Sequence, residues 1–384
     1  MNNLNNHSTR DHALLSASSA HRWLNCPPSA VAAELYPDQD TDFTREGTLA
    51  HEVAEAVARG GEYAAAEKYL NDRSQPITQE MIDCARGYSD YIQEQVKDKA
   101  ATIMLEQRVD FSPWVPDGFG TCDCIILQGD TMVVIDYKYG QGVPVSAIDN
   151  PQMKLYALGA LNDYGFAYDV ERIEMHIYQP RINNISVDSL TVAELLDWAE
   201  TTVKPIAEKA AKGEGDAAAG TWCKFCPHAG NCPTLTATCT KFVEVHNLRA
   251  AVPTLAPYEV AEVLAMEPLV ALWLKRVKDQ ALSTLLDGGD IPGYKVVEGK
   301  LGNRKWTDEL QVADTLKAEG YGVEDYTETK LLSPAAMDKA LGKKKVAELL
   351  DGMIDRAPGA PTVVPETDKR PPLDRAADFE KLED

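Results

Sequence analysis

Hydrophobic residues recur at helical spacing over the first hundred residues of the chain. They fall three or four positions apart, as on one face of a helix, and this predicts helices over 17–36, 46–58 and 79–98. Ser18 or Ser19 is a suitable N-cap for the first helix, because a serine side chain accepts a hydrogen bond from the first helical turn. This part of the chain is therefore expected to contain three helices.

The pattern changes to strand character at Thr102. Short runs rich in Val and Ile, punctuated by Gly, Pro and Asp, predict strands over 102–110, 120–127 and 131–138. An alternating segment predicts a fourth strand over 172–179. A helix is expected between the last two strands, over 151–163, so the fourth strand should cross over and join the same sheet. The expected fold class is therefore α/β.

Helix boundaries are marked by residues suited to them. Asn150 is a plausible N-cap for the helix over 151–163, and Pro151 fits the first helical position, where its missing N–H costs nothing. A further helix is expected over 191–211, followed by a link rich in Gly and Ala over 212–220.

The last third of the chain has a different character. Residues 257–287 predict one or two helices, broken at Pro268, and residues 293–306 predict a basic hairpin. Ser333-Pro334 is expected to open two short helices. Four regions follow from these boundaries: a disordered N-terminus over 1–15, a core over 16–245 that includes a cysteine cluster, a helical extension over 250–355 and a disordered tail over 356–384.

Composition and charge limit the setting in which the protein works. Of the 384 residues, 44% are apolar and 26% are charged, which is ordinary for a soluble globular protein, and no apolar run is long enough to span a membrane. The first ten residues lack the apolar stretch of a secretory signal, so we expect a cytoplasmic protein without a membrane partner. The net charge of −22 argues against nonspecific binding of nucleic acid by the whole surface. A local basic track remains compatible with it, because salt screens charges beyond about 8–10 Å.

Two acidic residues are expected to face each other across a hairpin. Gly129 and Asp130 separate the second and third strands, and glycine at the first of two loop positions favours a type II′ turn. Counting pairs outward from that turn places Asp123 directly opposite Asp136. Lys138 lies two residues beyond Asp136 and therefore projects on the same face.

Such a pair of carboxylates favours a divalent cation between them. Like charges this close destabilise a sheet and resist ionising together, and Mg²⁺ or Mn²⁺, which prefer oxygen ligands, would remove both problems. A bound cation makes water a better nucleophile, and a lysine beside it stabilises developing negative charge. These are the parts that phosphodiester hydrolysis requires. The alternative is an ordinary Asp–Lys ion pair at a sheet edge.

Four short motifs stand in order along the chain: Gly47–His51, Gly120–Asp123, Ile135–Lys138 and Gln152–Tyr156. They resemble the upstream helical histidine and the GxxD, (D/E)xK and QxxxY motifs of RecB-like nucleases of the PD-(D/E)xK superfamily. The resemblance covers roughly residues 16–240. It implies a restriction-endonuclease-like core, in which helices flank a central mixed sheet.

The resemblance also implies roles for individual side chains. The metal ligands that it implies are His51, Asp123 and Asp136. Lys138 would assist the catalytic water. Gln152 and Tyr156 share a helical face, because they are four positions apart, and would contact DNA or orient the lysine. Glu106, on the preceding strand, is either an additional acid near the site or a surface carboxylate.

Three closely spaced cysteines, Cys223, Cys226 and Cys232, need a fourth ligand to close a metal site. Cys239 would complete a local zinc site, and Cys26 would complete a site that ties the N-terminal helix to this segment. Resemblance to AddB-like and CRISPR-associated RecB-like nucleases favours Cys26, because one early and three late cysteines hold a [4Fe–4S] cluster in those proteins. Zinc with Cys239 is the alternative.

The combined expectation is a deoxyribonuclease that depends on Mg²⁺ or Mn²⁺ and carries an iron–sulfur staple, acting as an exonuclease on single strands or DNA ends. Likeness to a phage-associated family implies phage recombination or replication proteins as partners and the bacterial host cytoplasm as location. Two alternatives are a catalytically silent subunit that binds DNA ends or single strands, and a zinc-stapled structural adaptor. The basic and aromatic residues over 293–306 suit phosphate contact and base stacking, or form a solvated hairpin.

Overall fold

The structure, a computed structural model, describes residues 13–36, 41–60, 77–247 and 256–297, together with isolated positions between 314 and 350. The chain divides into two units, Met1–Val297 and Glu298–Asp384. The elements below belong to the first unit.

A five-stranded mixed sheet forms the centre of this unit. Its strands lie side by side in chain order and are β1 (Thr102–Asp110), β2 (Phe119–Gln128), β3 (Thr131–Tyr137), β4 (Arg172–Gln179) and β5 (Asn184–Thr191). The β3–β4 pair is parallel and the other pairs are antiparallel. The predicted α/β class, the first four strands and the crossover are therefore confirmed. β5 was not predicted; it follows a tight turn in which Asn183 has a φ of 52°.

The β2–β3 turn has the predicted geometry. Of its two loop residues only Gly129 has a positive φ, 55°, as a type II′ turn requires at the first position. Gln128 pairs with Thr131, and the ladder continues to Cys124 and Ile135. The predicted register is therefore confirmed up to the pair that precedes the two aspartates.

Helices cover both faces of the sheet. They are α1 (Ala20–Asn25), α2 (Ser29–Ala33), α3 (Asp42–Ala58), α4 (Gln79–Gln95), α5 (Pro151–Tyr164), α6 (Val192–Trp198), α7 (Lys204–Ala210), α8 (Pro233–Asn247) and α9 (Pro257–Leu286). As predicted, the Asn150 side chain caps α5 by accepting from the backbone N–H groups of Gln152 and Met153. No helix in the described ranges is both long and apolar enough to cross a membrane.

Two helix predictions were wrong. The single helix expected over 17–36 is divided into α1 and α2, because Pro27 and Pro28 follow Cys26 and interrupt the helical hydrogen bonds. The break expected at Pro268 does not occur, since α9 continues through it. The residues that follow this proline pack in one hydrophobic cluster with the cysteine segment; they are Leu269, Val270, Leu272 and Trp273.

Some predicted features fall partly or wholly outside the described residues. Positions 293–297 of the expected basic hairpin contain no strand, and the rest of that hairpin is not described. Ser333-Pro334 and the tail over 356–384 also lie outside the described residues. In the segment expected to be disordered over 1–15, the side chains of Ala13 and Leu15 are buried.

Two hydrophobic cores lie against the sheet, one on each face. The first core includes residues of α1, α5, α6 and α7, and the second includes residues of α3 and α4. β2 contributes Cys122 to the first core and Cys124 to the second. Residues two apart on a regular strand face the same side, so β2 turns about its own axis at Asp123.

Candidate metal centre

Asp123 lies where β2 turns, close to both α3 and β3. Its carboxylate Oδ2 accepts a hydrogen bond from the backbone N–H of Tyr137 at 2.6 Å, and its Oδ1 lies 3.3 Å from His51 Nδ1. The residue is only 9% exposed. Asp123 is thus fixed by the backbone of one neighbour and faces the imidazole of another.

Asp136, Lys138, Gln152 and Tyr156 form one hydrogen-bonded network. The Lys138 ammonium donates to Asp136 Oδ1 at 3.2 Å and to Gln152 Oε1 at 3.5 Å. The Gln152 amide donates to Asp136 Oδ1 and to the Tyr156 hydroxyl, both at 3.2 Å. Helix α5 therefore holds the lysine through an amide, a contact consistent with one of the roles implied for Gln152.

One oxygen of Asp136 is left without a hydrogen bond. Asp136 is 2% exposed, and its Oδ2 lies 2.9 Å from Lys138 Nζ, close enough for an ion pair but in a direction that forms no hydrogen bond. A buried carboxylate oxygen with free lone pairs is unfavourable unless a cation approaches it. This oxygen is therefore available as a metal ligand.

The charges of the centre influence one another strongly. Burial raises the pKa of Asp136, and the Asp123 carboxylate raises it further, whereas Lys138 opposes the shift. Burial lowers the pKa of Lys138, but Asp136 and Asp123 outweigh it and the net pKa is raised. For His51, too, the carboxylates of Asp123 and Asp136 outweigh burial, so that its pKa is raised. Both basic side chains are thus held in an environment that favours positive charge.

Gly120, the first residue of the GxxD motif, makes room for Tyr156. A Cβ atom at position 120 would lie 2.8 Å from Tyr156 Cε1, closer than such atoms approach in real proteins. The motif glycine and the motif tyrosine, which are far apart in the sequence, therefore pack against each other. Sequence spacing alone gave no indication of this contact.

A third acid stands beside the histidine and Asp123. Within the described part of the chain, His51, Glu106 and Asp123 are the one group of three metal-binding side chains whose ligand atoms all lie within 4.8 Å of one another. Asp136 is outside this group, although the resemblance implied it as a ligand. Burial and the Asp123 carboxylate raise the pKa of Glu106 to about 7. The structure therefore makes Glu106 a stronger candidate for a metal ligand than the sequence did.

The cysteine segment packs against the N-terminal helices. Helix α1, which precedes Cys26, lies against a short 3₁₀ turn that carries Cys223, and Tyr36 beyond α2 contacts His228 with a hydroxyl-to-Nδ1 distance of 3.1 Å. Burial raises the pKa of Cys223, and the neighbouring thiols of Cys226, Cys232 and Cys26 raise it further. The early cysteine and the three late ones are therefore neighbours.

Hydrogen-bond donors point at the sulfur atoms of this group. The backbone N–H of Gly220 donates to Cys223 Sγ at 3.5 Å, and that of Leu235 donates to Cys232 Sγ at 3.4 Å. Backbone N–H donors of this kind stabilise thiolates.

Cys239, which the sequence offered as the alternative fourth ligand, is fully buried on α8, and burial is the cause of its raised pKa.

Fold and site together define an α/β protein with a candidate metal centre at the end of a mixed sheet. The chain belongs to the family described as "Protein of unknown function (DUF2800)", whose profile matches residues 12–371. Among solved structures, it is similar to the one titled "Crystal structure of SSO0001", with 17% sequence identity and a TM-score of 0.25. That match covers 56% of this chain and 96% of the other.

Proposed function

We propose that this protein is a divalent-metal-dependent nuclease that hydrolyses phosphodiester bonds in DNA, with a restriction-endonuclease-like core of the RecB-like kind. The observation that carries the proposal is the ion pair between buried Asp136 and Lys138, at 2.9 Å, beside Asp123 and His51. A half-buried ammonium next to a set of oxygen and nitrogen ligands combines the two components that phosphodiester hydrolysis needs.

The residues present fit Mg²⁺ or Mn²⁺. Asp136 offers an oxygen without a hydrogen bond, Asp123 offers a buried carboxylate, and His51 offers a ring nitrogen. When bound, the cation would lower the pKa of water and neutralise charge on the phosphate. Asp136 contacts Gln152 of α5, which packs on one face of the sheet, and His51 belongs to α3, which packs on the other face.

Lys138 and its neighbours supply the remaining chemistry. Because its pKa is raised, Lys138 keeps its positive charge near neutral pH and can donate to water or to a phosphate oxygen. Asp136 and Gln152 fix the position of the ammonium, and Tyr156 fixes that of the Gln152 amide. This arrangement holds the lysine before substrate arrives, which reduces the entropy that catalysis must overcome.

The same proposal includes a [4Fe–4S] cluster held by Cys26, Cys223, Cys226 and Cys232. Their proximity and the N–H donors on two of the sulfur atoms support it.

The wider setting of the proposal rests on resemblance. It comprises exonuclease action on single strands or DNA ends, phage recombination or replication proteins as partners, and the bacterial host cytoplasm as location. The motifs from Gly47 to Tyr156 carry that resemblance.

Cleavage of labelled single- and double-stranded DNA with Mn²⁺ tests the proposal. We expect wild type to cut DNA, and Asp136→Asn and Lys138→Ala each to lower the rate by at least about 100-fold, since each removes a group that acts on developing charge. Asp130→Asn, at the exposed β2–β3 turn, and Lys97→Ala, on the surface, are matched controls and should cut normally.

The result that contradicts the proposal is a wild-type preparation that cuts neither substrate, or site variants that cut as fast as their controls. A protein that binds DNA without cutting it would instead support the catalytically silent subunit.

A further inference from the structure

Glu106 lies beside Asp123 on the neighbouring strand. The two strands stay in register on either side of these residues, with the pairs Leu105↔Cys124 and Gln107↔Cys122. Glu106 itself has a φ of 50°, in the left-handed region that side-chain-bearing residues rarely occupy. The backbone thus departs from strand geometry at the residue that stands level with Asp123.

The carboxylate of Glu106 is poorly compensated where it lies. In the part of the chain that the structure describes, it accepts no hydrogen bond and forms no ion pair. The nearest guanidinium, that of Arg59, is already engaged, since it donates to Glu55 at 2.8 Å and to the Leu105 carbonyl at 3.0 Å. Burial and the Asp123 carboxylate outweigh the opposing effects of His51 and Arg59, so the charged form of Glu106 is unfavourable unless a further cation binds.

His51, Glu106 and Asp123 come from three different elements, α3, β1 and β2, yet their ligand atoms lie within 4.8 Å of one another. Metal–ligand bonds of about 2.1 Å allow such atoms to lie up to about 4.2 Å apart, so a small adjustment suffices. The neighbouring buried Asp136, outside this group, has an oxygen that forms no hydrogen bond and is balanced by the Lys138 ammonium at 2.9 Å. One nitrogen and two oxygen ligands suit Mn²⁺ better than Mg²⁺, which prefers oxygen alone.

We infer that Glu106 is a metal ligand and that His51, Glu106 and Asp123 hold a divalent cation of the Mn²⁺ type. The inference deepens the proposed function. The catalytic use of the cation rests on that proposed function, but the binding of the cation does not. It adds to the proposed centre an acid that the sequence motifs do not include.

Mn²⁺ binding to the full-length protein tests the inference without DNA. The unbound ion is measured by its electron paramagnetic resonance signal during titration of wild type, Glu106→Gln and Glu52→Gln. Glu52 is an exposed acid next to His51, so its variant removes the same charge from the same region. We expect Glu106→Gln to weaken binding at least tenfold, because even a residue that only orients a ligand costs about 10- to 100-fold. Glu52→Gln should bind as wild type does.

Glu106→Asp separates coordination from charge and serves if Glu106→Gln fails to fold. It keeps the negative charge but shortens the side chain by one methylene, so a ligand at position 106 predicts weaker binding. Wild-type affinity in either Glu106 variant overturns the inference, and so does a wild-type protein that binds no Mn²⁺. If binding depends on Glu106 but wild type cuts no DNA, the ligand assignment stands and the nuclease proposal fails. If wild type cuts DNA and the Glu106 variants bind Mn²⁺ and cut DNA normally, the nuclease proposal stands and the assignment of Glu106 as a ligand fails.

Discussion

At the scale of single residues, the contact between Gly120 and Tyr156 joins two motifs that lie on different elements. Glycine at position 120 lets the tyrosine ring pack against β2, and the ring hydroxyl then accepts from Gln152. The amide of Gln152 in turn contacts Asp136 and Lys138. The space left by one missing side chain therefore bears on the position of the proposed catalytic lysine.

Gly120→Ala is expected to lower both stability and DNA cleavage. The added methyl group would push against the Tyr156 ring, and overpacking of this kind costs about 1–3 kcal/mol. Urea denaturation measures the free energy of unfolding, and the cleavage assay measures the rate. Gly47→Ala is the control, because nothing lies within 4 Å of its added Cβ atom in α3. Equal stability of the two variants would contradict the packing argument.

His176 gives a prediction about pH. It is buried on β4, where its Nδ1 lies 2.8 Å from the Tyr91 hydroxyl and its Nε2 has no hydrogen bond. Burial lowers the pKa of His176, and Glu174 only partly opposes this. Below the unfolded pKa of about 6.5, the unfolded chain takes up a proton that the folded chain resists. Stability should therefore fall as the pH decreases from about 6.5 towards the lower folded pKa.

The measurement is the free energy of unfolding between pH 7.5 and pH 5.5, from urea denaturation. Wild type and the exposed control His21→Gln should lose stability as the pH falls, and His176→Gln should lose less. If the free energy of unfolding changes with pH in His176→Gln as it does in wild type, the pKa of His176 does not differ between the folded and unfolded chains.

At the scale of elements, strands were predicted best where local rules decide the outcome. The β2–β3 hairpin follows from a glycine at one loop position, and α5 begins where Asn150 caps it and Pro151 follows. These signals act over a few residues, so they can be read from the chain. The alternating residues of β5 were missed, because its place depends on pairing with β4 rather than on a marked apolar pattern.

Other features depend on contacts that local sequence does not encode. Pro268 lies inside a continuous helix, and the residues that follow it pack against the cysteine segment, a contact that the local sequence does not reveal. Glu106 is a candidate metal ligand because its backbone φ is 50° and because α3 brings His51 close to it. Motif spacing pointed to the residues that form the Lys138 network, but it did not reveal that Asp136 Oδ2 lacks a hydrogen bond.

At the scale of the whole unit, the four cysteines of the proposed cluster come from two distant parts of the chain. Cys26 follows α1, and its partners lie about 200 residues later, ahead of α8. In the chain-entropy estimate, closing a loop of this length stabilises the fold by several kcal/mol. The proposed cluster would thus act mainly on the unfolded chain.

Protein purified without oxygen should show the visible absorption of an iron–sulfur chromophore. Cys26→Ser should lose it and unfold at a lower temperature, whereas Cys239→Ser, which changes a buried cysteine outside the group, should keep the colour. Iron and zinc analysis of the same preparations identifies the metal. A colourless wild type with bound zinc, or colour lost only in Cys239→Ser, would contradict the assignment.

The two hydrophobic cores on opposite faces of the sheet have a consequence for how the centre matures. His51 is carried by the layer of α3 and α4, and Gln152 and Tyr156 by the layer of α5, while Asp123 sits at the turn of β2 between them. Neither layer alone carries all the residues that bind the metal and position Lys138. A chain in which only one layer has docked would therefore have no working centre, so the proposed activity would require both layers to be in place.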